Sequence, residues 1–295
     1  MKKFLALGLS MVLAVSTLAG CGSSADKSAA NTNNADNTSK AAVKVIEIDL
    51  TQEEYAFGID KTQPELADKV NAFIKEIKDN GTFESICNNY FGDGTPVGVK
   101  SATYDPSKEQ LVVATNAAFE PFEYMQGDDY VGIDMEIAKA LADYLGQELV
   151  IMNMDFDAVC LSVGQQKCDI AMSGLTIKED RKEYVNFSDA YYNASQKLIV
   201  PSSNTEFDAC KDATAVEEIL KTKDASVKIG VQNGTTGQFY CEGDADWGFD
   251  GFKVSTVGYK NGSLAVQDLV NGNISYVVID SAPAKCITEA INKMQ

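Results

Sequence analysis

LVVATNAAFEPFEYMQGDDYVGIDMEIAKALADYLGQELVIMN, residues 111–153, carries in one run the alternation that decides the fold. LVVAT (111–115) is short, apolar and β-branched, the composition of a strand buried on both faces. DMEIAKALADYLG follows as an amphipathic helix. Asp134 stands at its N-cap, Ile137, Leu141 and Leu145 share one face, and Gly146 supplies the stop. ELVIMN (148–153) is the next strand. Buried strands separated by amphipathic helices predict a parallel sheet covered by helices.

The pattern extends outward from this run. FDAVCLSVG (156–164) reads as a short helix and DIAMSG (169–174) as another strand. VKIGVQ (227–232), FKVSTV (252–257) and YVVID (276–280) repeat the strand signal with helical stretches between and after them. Two α/β lobes fit this better than one continuous sheet. In open parallel sheets ligands gather at the carboxyl ends of strands, where loops and helix N-termini converge. Those ends are Asn116 to Phe119, Ser173 to Thr176, Asn233 to Gly237, and Asp280.

Beside one of these ends, in LTIKEDRKEYVNFSD (175–189), stands Arg181, the only arginine among 25 basic residues. Its rarity has two readings. One is nucleotide bias that left a single arginine on a solvated surface. The other is chemical: a planar guanidinium grips a carboxylate through two parallel hydrogen bonds, which a lysine cannot copy.

Composition removes several function classes. There is no histidine, so a serine–histidine triad is excluded and the commonest general base and metal ligand are missing. The formal charge is −18 and is near −20 once Lys2 and Lys3 are removed, which argues against nucleic acid as a partner. Beyond Cys21 there are Cys87, Cys160, Cys168, Cys210, Cys241 and Cys286, with no C-x-x-C spacing to indicate zinc or a redox pair. Cys160 and Cys168 fall where apolar core residues belong, so mostly reduced thiols are expected. Trp247, in DADWGFDGF, receives no role.

The first 21 residues, MKKFLALGLSMVLAVSTLAGC, combine a basic start, a short apolar run and a small-residue cleavage site. The L-A-G-C ending resembles the bacterial lipoprotein box, in which Cys21 is lipidated. Residues 22–42 are small and polar and read as a disordered tether. The expected location is extracytoplasmic, with a lipid anchor to the outer face of the cytoplasmic membrane.

LVVATNAAFEPFEY, GIDMEIAKAL, MDFDAV, CDIAMSGLTIKEDRKEYVNFSDAYY, KIGVQNGTTG and SYVVIDSAPAK together resemble the extracytoplasmic amino-acid-binding proteins of ABC importers, solute-binding family 3. The T-I-K-E-D-R segment followed by F-S-D-A-Y-Y is the most specific of these motifs. The resemblance implies a two-lobe periplasmic-binding-protein-like (type II) fold with the ligand cleft between the lobes. It implies that Arg181 clamps the α-carboxylate of a free L-amino acid, helped by Thr176 and the Ser173–Gly174 backbone, and that Asp280 holds the α-ammonium. Phe119 and Phe156 would sandwich the aliphatic part of the ligand, and Thr235 and Thr236 would supply the second lobe's grip. Alternatives stay open: Asp280 as the cap of a helix starting near Ser281, the two phenylalanines as core, and the two threonines as shapers of a turn beside Gly234 and Gly237. Asn116 stands where several relatives, including glutamine and basic amino-acid binders, have aspartate. Gln232 stands where the glutamine binder has lysine. Both departures point to a polar, uncharged L-amino acid.

The implied partner is an ABC permease, the implied state a monomer, and no cofactor or metal is called for. The clamp would close about crossover strands around Lys197–Pro201 and Glu53–Phe57. Two other classes compete. Related folds include exported dehydratases acting on small carboxylated rings, although the lack of histidine speaks against proton-transfer chemistry. A sensory receptor would bring a second membrane span or a signalling domain, and neither is read here.

Residues 43–92 resemble the C-terminal end of that family, yet they come first. VKVIEIDL reads as a strand, EEYAFGID as a crossover strand, and the helix that follows has Leu66, Val70, Phe73, Ile74 and Ile77 on one stripe. Thr62 and Glu65 are placed to form a capping box with Pro64 in the first turn, and a YFG motif ends the segment. The chain therefore reads as circularly permuted, with the old ends joined through residues 92–110. Lobe 1 is expected at 54–195, including the transplanted 55–92, and lobe 2 at 196–295 plus 43–53.

Overall fold

Two mixed five-stranded sheets organise the described residues, 41–294, of the computed structural model. The expected signal peptide (1–21), Cys21, and all but the last two residues of the expected tether (22–42) lie outside the described residues. The chain runs through β1 (Val43–Ile46), β2 (Glu53–Tyr55), β3 (Gly58–Asp60), α1 (Pro64–Asp79), α2 (Thr82–Phe91), β4 (Gln110–Thr115), β5 (Ala118–Phe119), β6 (Glu123–Gln126), β7 (Asp129–Val131), α3 (Ile133–Leu145), β8 (Glu148–Asn153) and α4 (Phe156–Gly164). It continues through β9 (Ile170–Ala171), a 3-10 turn at Arg181–Glu183, β10 (Val185–Phe187), β11 (Tyr192–Ala194), β12 (Gln196–Pro201), α5 (Ala213–Lys221), β13 (Lys228–Gln232), α6 (Thr236–Glu242), β14 (Ser255–Tyr259), α7 (Gly262–Val270), β15 (Tyr276–Asp280) and α8 (Ser281–Lys293).

One sheet has the order β10-β3-β9-β4-β8 and carries the Arg181 side of the molecule. The other has the order β1-β12-β15-β13-β14 and ends β15 on Asp280. Helices cover both sheets, so their strands read as nearly unbroken apolar runs: every residue of β4 and of β15 is buried. A short antiparallel ribbon, β2 with β11, runs between the two sheets.

The segment at the start of the described chain divides between them. β1 pairs antiparallel with β12 along its whole length, and Asn292 of α8 clasps its backbone, bonding the amides of Ala42 and Val43 and the carbonyl of Val43. β3 pairs with β9 and β10 in the other sheet. α1 buries Val70, Phe73, Ile74 and Ile77, the apolar stripe of its sequence. On α2, Tyr90 donates to Glu136 of α3 at 2.6 Å.

Several expectations are corrected in detail. The Thr62–Glu65 capping box does not form: Gln63 is the N-cap of α1 without a side-chain cap, and Thr62 instead donates its hydroxyl to Asp60 at 2.9 Å. Pro64, which lacks an N–H, removes one of the donors a cap would serve. Asp134 is not the N-cap of α3; Gly132 is, at φ +135, where an added Cβ would lie 2.1 Å from the Phe122 carbonyl oxygen. Only glycine fits there. DIAMSG keeps strand geometry only at Ile170–Ala171, and the FKVSTV strand is shifted to Ser255–Tyr259. Residues 197–201 are not a hinge. They pair throughout with β1 or β15 inside the Asp280 sheet, and the crossing occurs earlier, at β11.

All six cysteines in the described residues are free thiols, with Cys160 and Cys168 in the apolar layer under β4 and β8. Among the described residues, no helix is long and apolar enough to cross a membrane.

Candidate functional site

Arg181 sits in the 3-10 turn that follows β9, with Asp180 accepting from its backbone N–H. Its guanidinium reaches both lobes. Nη1 donates to the Thr176 carbonyl at 2.7 Å, and Nη2 donates across the seam to the Gly234 carbonyl at 3.0 Å. The ring of Phe156, half-buried at the start of α4, lies 5.3 Å from the guanidinium carbon. Only 8% of Arg181 is exposed. A cavity of about 280 Å³ opens beside it, lined by Phe156, Cys160, Leu175, Tyr184, Gly234 and Phe239 among others. Burial pushes the Cys160 thiol up, and Arg181 offsets this in part.

Asp280 closes the opposite end of the seam, 5% exposed at the tip of β15. It is the N-cap residue of α8, yet its side chain makes no capping bond, which removes the helix-cap alternative. Its carboxylate accepts instead from the Tyr55 hydroxyl at 2.5 Å. Burial and the nearby Glu53 push its carboxyl up, while Tyr55 and Gln196 pull it back.

Thr176 lies between these two charges. Its hydroxyl donates to Glu53 Oε2 at 2.7 Å and accepts from Thr236 of the other lobe at 3.3 Å. Glu53 is fully engaged, taking two further bonds from Thr51 (2.6 Å) and Gln196 Nε2 (3.0 Å). Thr235 donates to the Gln232 carbonyl at 2.8 Å, so its hydroxyl shapes the turn into α6. Asn116 and Gln232 meet across the lobes, Gln232 Nε2 donating to Asn116 Oδ1 at 3.2 Å, while Asn116 Nδ2 donates to the Met154 carbonyl at 2.7 Å. Gln232 Oε1 is buried without a partner.

The remaining candidates support the seam from within lobe 1. The Ser173 hydroxyl accepts from Asn116 N–H and donates to Glu123 at 3.0 Å, and the Gly174 N–H is taken by Asp134 at 2.9 Å. Neither that hydroxyl nor that N–H is free for a ligand. Burial drives Glu123 well above the usual carboxylate range, and burial raises Asp134 to about 7 against bonds from Gly174 and Tyr191 that lower it. Phe119 packs on Phe122 at 6.2 Å between centroids and stands against Gly174, where φ is +52 and an added Cβ would lie 3.0 Å from the Phe119 ring.

Arg181, Thr176, Asp280, Asn116, Gln232, Thr236 and Phe156 are thus gathered along one inter-lobe seam. Glu53, Tyr55 and Gln196 join them without having been singled out as contacts. The structure gives TQEEY the period of a strand, with Thr51, Glu53 and Tyr55 buried and Gln52 and Glu54 exposed, but the sequence carries no such signal because both faces of the stretch are polar. Among the described residues, no group of acidic or cysteine side chains could hold a metal ion.

The match to known proteins follows the same residues. Residues 111–290 fit the model of the bacterial extracellular solute-binding proteins, family 3. The arginine-binding extracellular protein ArtP of Bacillus subtilis is 35% identical over 136 residues, 46% of this chain and 50% of its own length. The ABC transporter arginine-binding protein 1 of Escherichia coli is 32% identical over 175 residues, 59% of this chain and 64% of its own. The chain therefore spans about half to two thirds of the length of these relatives. An ancestral amino acid-binding protein, a precursor of cyclohexadienyl dehydratase, superposes with a TM-score of 0.53 at 31% identity, covering 62% of this chain and 74% of that one. An ancestral arginine-binding protein bound to arginine gives 0.52 at 33% identity, with 62% and 75% covered. The architecture is the two-lobe type II fold of these binding proteins, and the chain belongs to the bacterial extracellular solute-binding proteins, family 3.

Proposed function

We propose that this protein captures a free L-amino acid between its lobes and delivers it to the permease of an ABC importer, working as a monomer tethered outside the cytoplasm by lipid on Cys21. One observation carries the reading: a buried guanidinium fork and a buried carboxylate stand at the two ends of one seam, with Thr176 between them. An amino acid offers the complementary pair, a carboxylate for Arg181 and an ammonium for Asp280. Each charge is already out of water, so a zwitterion that neutralises both recovers Coulomb energy that neither lobe obtains alone.

The residues expected to meet the ligand's side chain, Asn116 and Gln232, are neutral amides with an unpartnered oxygen, which favours a polar, uncharged side chain able to donate a hydrogen bond. Entry requires the lobes to part about the β2–β11 ribbon, because Thr176 and Thr236 touch across the seam. A dehydratase is the competing reading, since one structural neighbour is an amino acid-binding protein that is a precursor of such an enzyme. Incubation with a prephenate-like substrate tests it, and no turnover is expected.

The order of elements belongs to the same proposal. Circular permutation accounts for β1 lying beside α8, with 250 residues between Ala42 and Asn292, and for β3, α1 and α2 packing on the other lobe. It also accounts for a match limited to 62% of this chain. Lobe 1 would be 54–195, and lobe 2 would be 196–295 with 43–53.

The deciding experiment is a thermal-shift screen against the twenty amino acids followed by calorimetry, since a ligand stabilises the native state by mass action. A polar, uncharged amino acid should give the largest shift. If none of the twenty raises the melting temperature, the reading fails.

A further inference from the structure

Lys178 is the one buried lysine among the described residues. It lies outside the line from Arg181 to Asp280, and its side chain is 3% exposed. Its ammonium stands 3.0 Å from Asp180 of its own lobe and 2.8 Å from Asp244 of the other, and 4.6 Å above the centroid of the Phe239 ring on α6. Asp244 begins the DADWGFDGF loop, to which the sequence assigned no role. Its second oxygen accepts from the backbone N–H groups of Asp246 (3.0 Å) and Trp247 (3.3 Å), and its backbone pairs with Phe249. The loop therefore holds this carboxylate in place, with one oxygen left for Lys178.

The other polar contacts between the lobes differ from this one. Arg181 with Gly234, Thr176 with Thr236 and Glu53, Asn116 with Gln232, and Tyr55 with Asp280 involve groups a ligand would engage, so binding would exchange them rather than add to them. Lys260 with Asp155 is largely exposed on both sides, and such pairs contribute little. Among the described residues, the Lys178 contact is the ion pair between the lobes that is both buried and away from the ligand-binding groups.

We propose that Lys178, Asp244 and Phe239 form a latch outside the ligand cleft that stabilises the closed form and so sets the affinity for whatever the cleft binds. It rests on the reading of the protein as a binder that closes. Opening the lobes strips Lys178 of Asp244 and Phe239 but leaves it Asp180 and water, so the latch biases the equilibrium without locking it. Ligand then acts on a population already shifted toward closure.

Small-angle X-ray scattering of the unliganded protein, with Lys178→Met, Asp244→Asn and Asp180→Asn, tests this. Methionine keeps the contact with Phe239 and lacks the charge, and melting curves verify that each variant is folded. Lys178→Met and Asp244→Asn should each open the protein relative to the parent, the pair together opening it no further than either alone. Asp180→Asn should leave it closed. A millimolar mixture of the twenty amino acids should bring the open variants back to the parent's scattering profile, and affinity should fall about tenfold, within the usual range of such couplings. A profile unchanged in Lys178→Met or in Asp244→Asn, or opened equally by Asp180→Asn, overturns the latch. If the amino acids fail to close the open variants while the unliganded profiles differ as stated, the latch stands and the amino-acid reading falls.

Discussion

Replacing Tyr55 by phenylalanine tests the proposed ammonium end of the site, because the Tyr55 hydroxyl is bonded to Asp280. Burial and Glu53 raise the Asp280 carboxyl to about 7, and the Tyr55 bond works against that rise. An ammonium needs the ionised carboxylate, so affinity should be full above about 7 and fall as the pH drops. With a pKa near 7, roughly one Asp280 in a hundred is ionised at about pH 5, so Kd should rise roughly 100-fold there. The unliganded fold should respond with the opposite sign. A carboxyl whose folded pKa is raised binds more protons folded than unfolded, so its stabilising contribution is full below the unfolded value near 4 and is lost as pH rises through about 7. Asp134, held at about 7 by burial, adds in the same direction. Asp280→Asn should flatten part of that stability profile and abolish the pH dependence of binding. In Tyr55→Phe the ring keeps its packing on Phe122 and Tyr192. Losing a bond to a charged group, about 1.5–3 kcal/mol, moves the binding midpoint up by about one to two pH units. Calorimetry with the best-binding amino acid between about pH 5 and pH 8.5 reads this out. A flat parent profile, or a Tyr55→Phe loss equal at every pH, refutes the assignment of Asp280 to the ammonium.

Arg181→Lys should weaken amino-acid binding at least tenfold with little change in melting temperature, because one ammonium cannot reproduce a fork that serves Thr176 and Gly234 together; the loss is about 1.5–3 kcal/mol, and unchanged affinity by calorimetry would return Arg181 to chance composition. Gly174→Ala should destabilise by about 1–3 kcal/mol in urea melts, since φ is +52 and the new Cβ would lie 3.0 Å from the Phe119 ring; a neutral result would mean that this turn relaxes freely. Moving residues 43–92 to follow Met294, with a short linker, should restore the order expected of relatives and give a protein that melts within a few degrees of the parent. A reordered chain that fails to fold would count against permutation.

How much of this was legible in the sequence depends on whether the signal was local. α3 could be read because Ile137 and Leu141 face inward and Gly146 adopts the left-handed turn that stops the helix. The stripe of α1 was equally plain, since periodicity records which face is buried. Asp134 was misread because its residue type suits a cap, while its actual partners, the Gly174 N–H and the Tyr191 hydroxyl, lie 40 and 57 residues away. Glu53 shows the same limit. Nothing local separates it from Glu54 on the opposite face, and an inward glutamate looks wrong until Gln196, 143 residues on, and Thr176, 123 residues on, arrive to bond it. Of the two expected hinge segments, 53–57 contains β2 of the crossing ribbon while 197–201 was misplaced, because a strand entering a sheet and a strand crossing between sheets have one composition; only the pairing partners separate them.

Arg181 was legible for a reason that periodicity does not supply. Its requirement is geometric: two donors must point in different directions from one planar group, one to the carbonyl of its own lobe and one to the carbonyl of the other. Lysine could meet either demand through a single flexible ammonium, but not both with the same fixed angle between them. A ligand carboxylate that enters the seam offers two oxygens to that same fork. In the proposed binding mode the ligand replaces the bond to Gly234, so that capture and closure would act through one side chain. In a chain that uses lysine for every other cation, the sole arginine stands where one guanidinium bonds a carbonyl of each lobe.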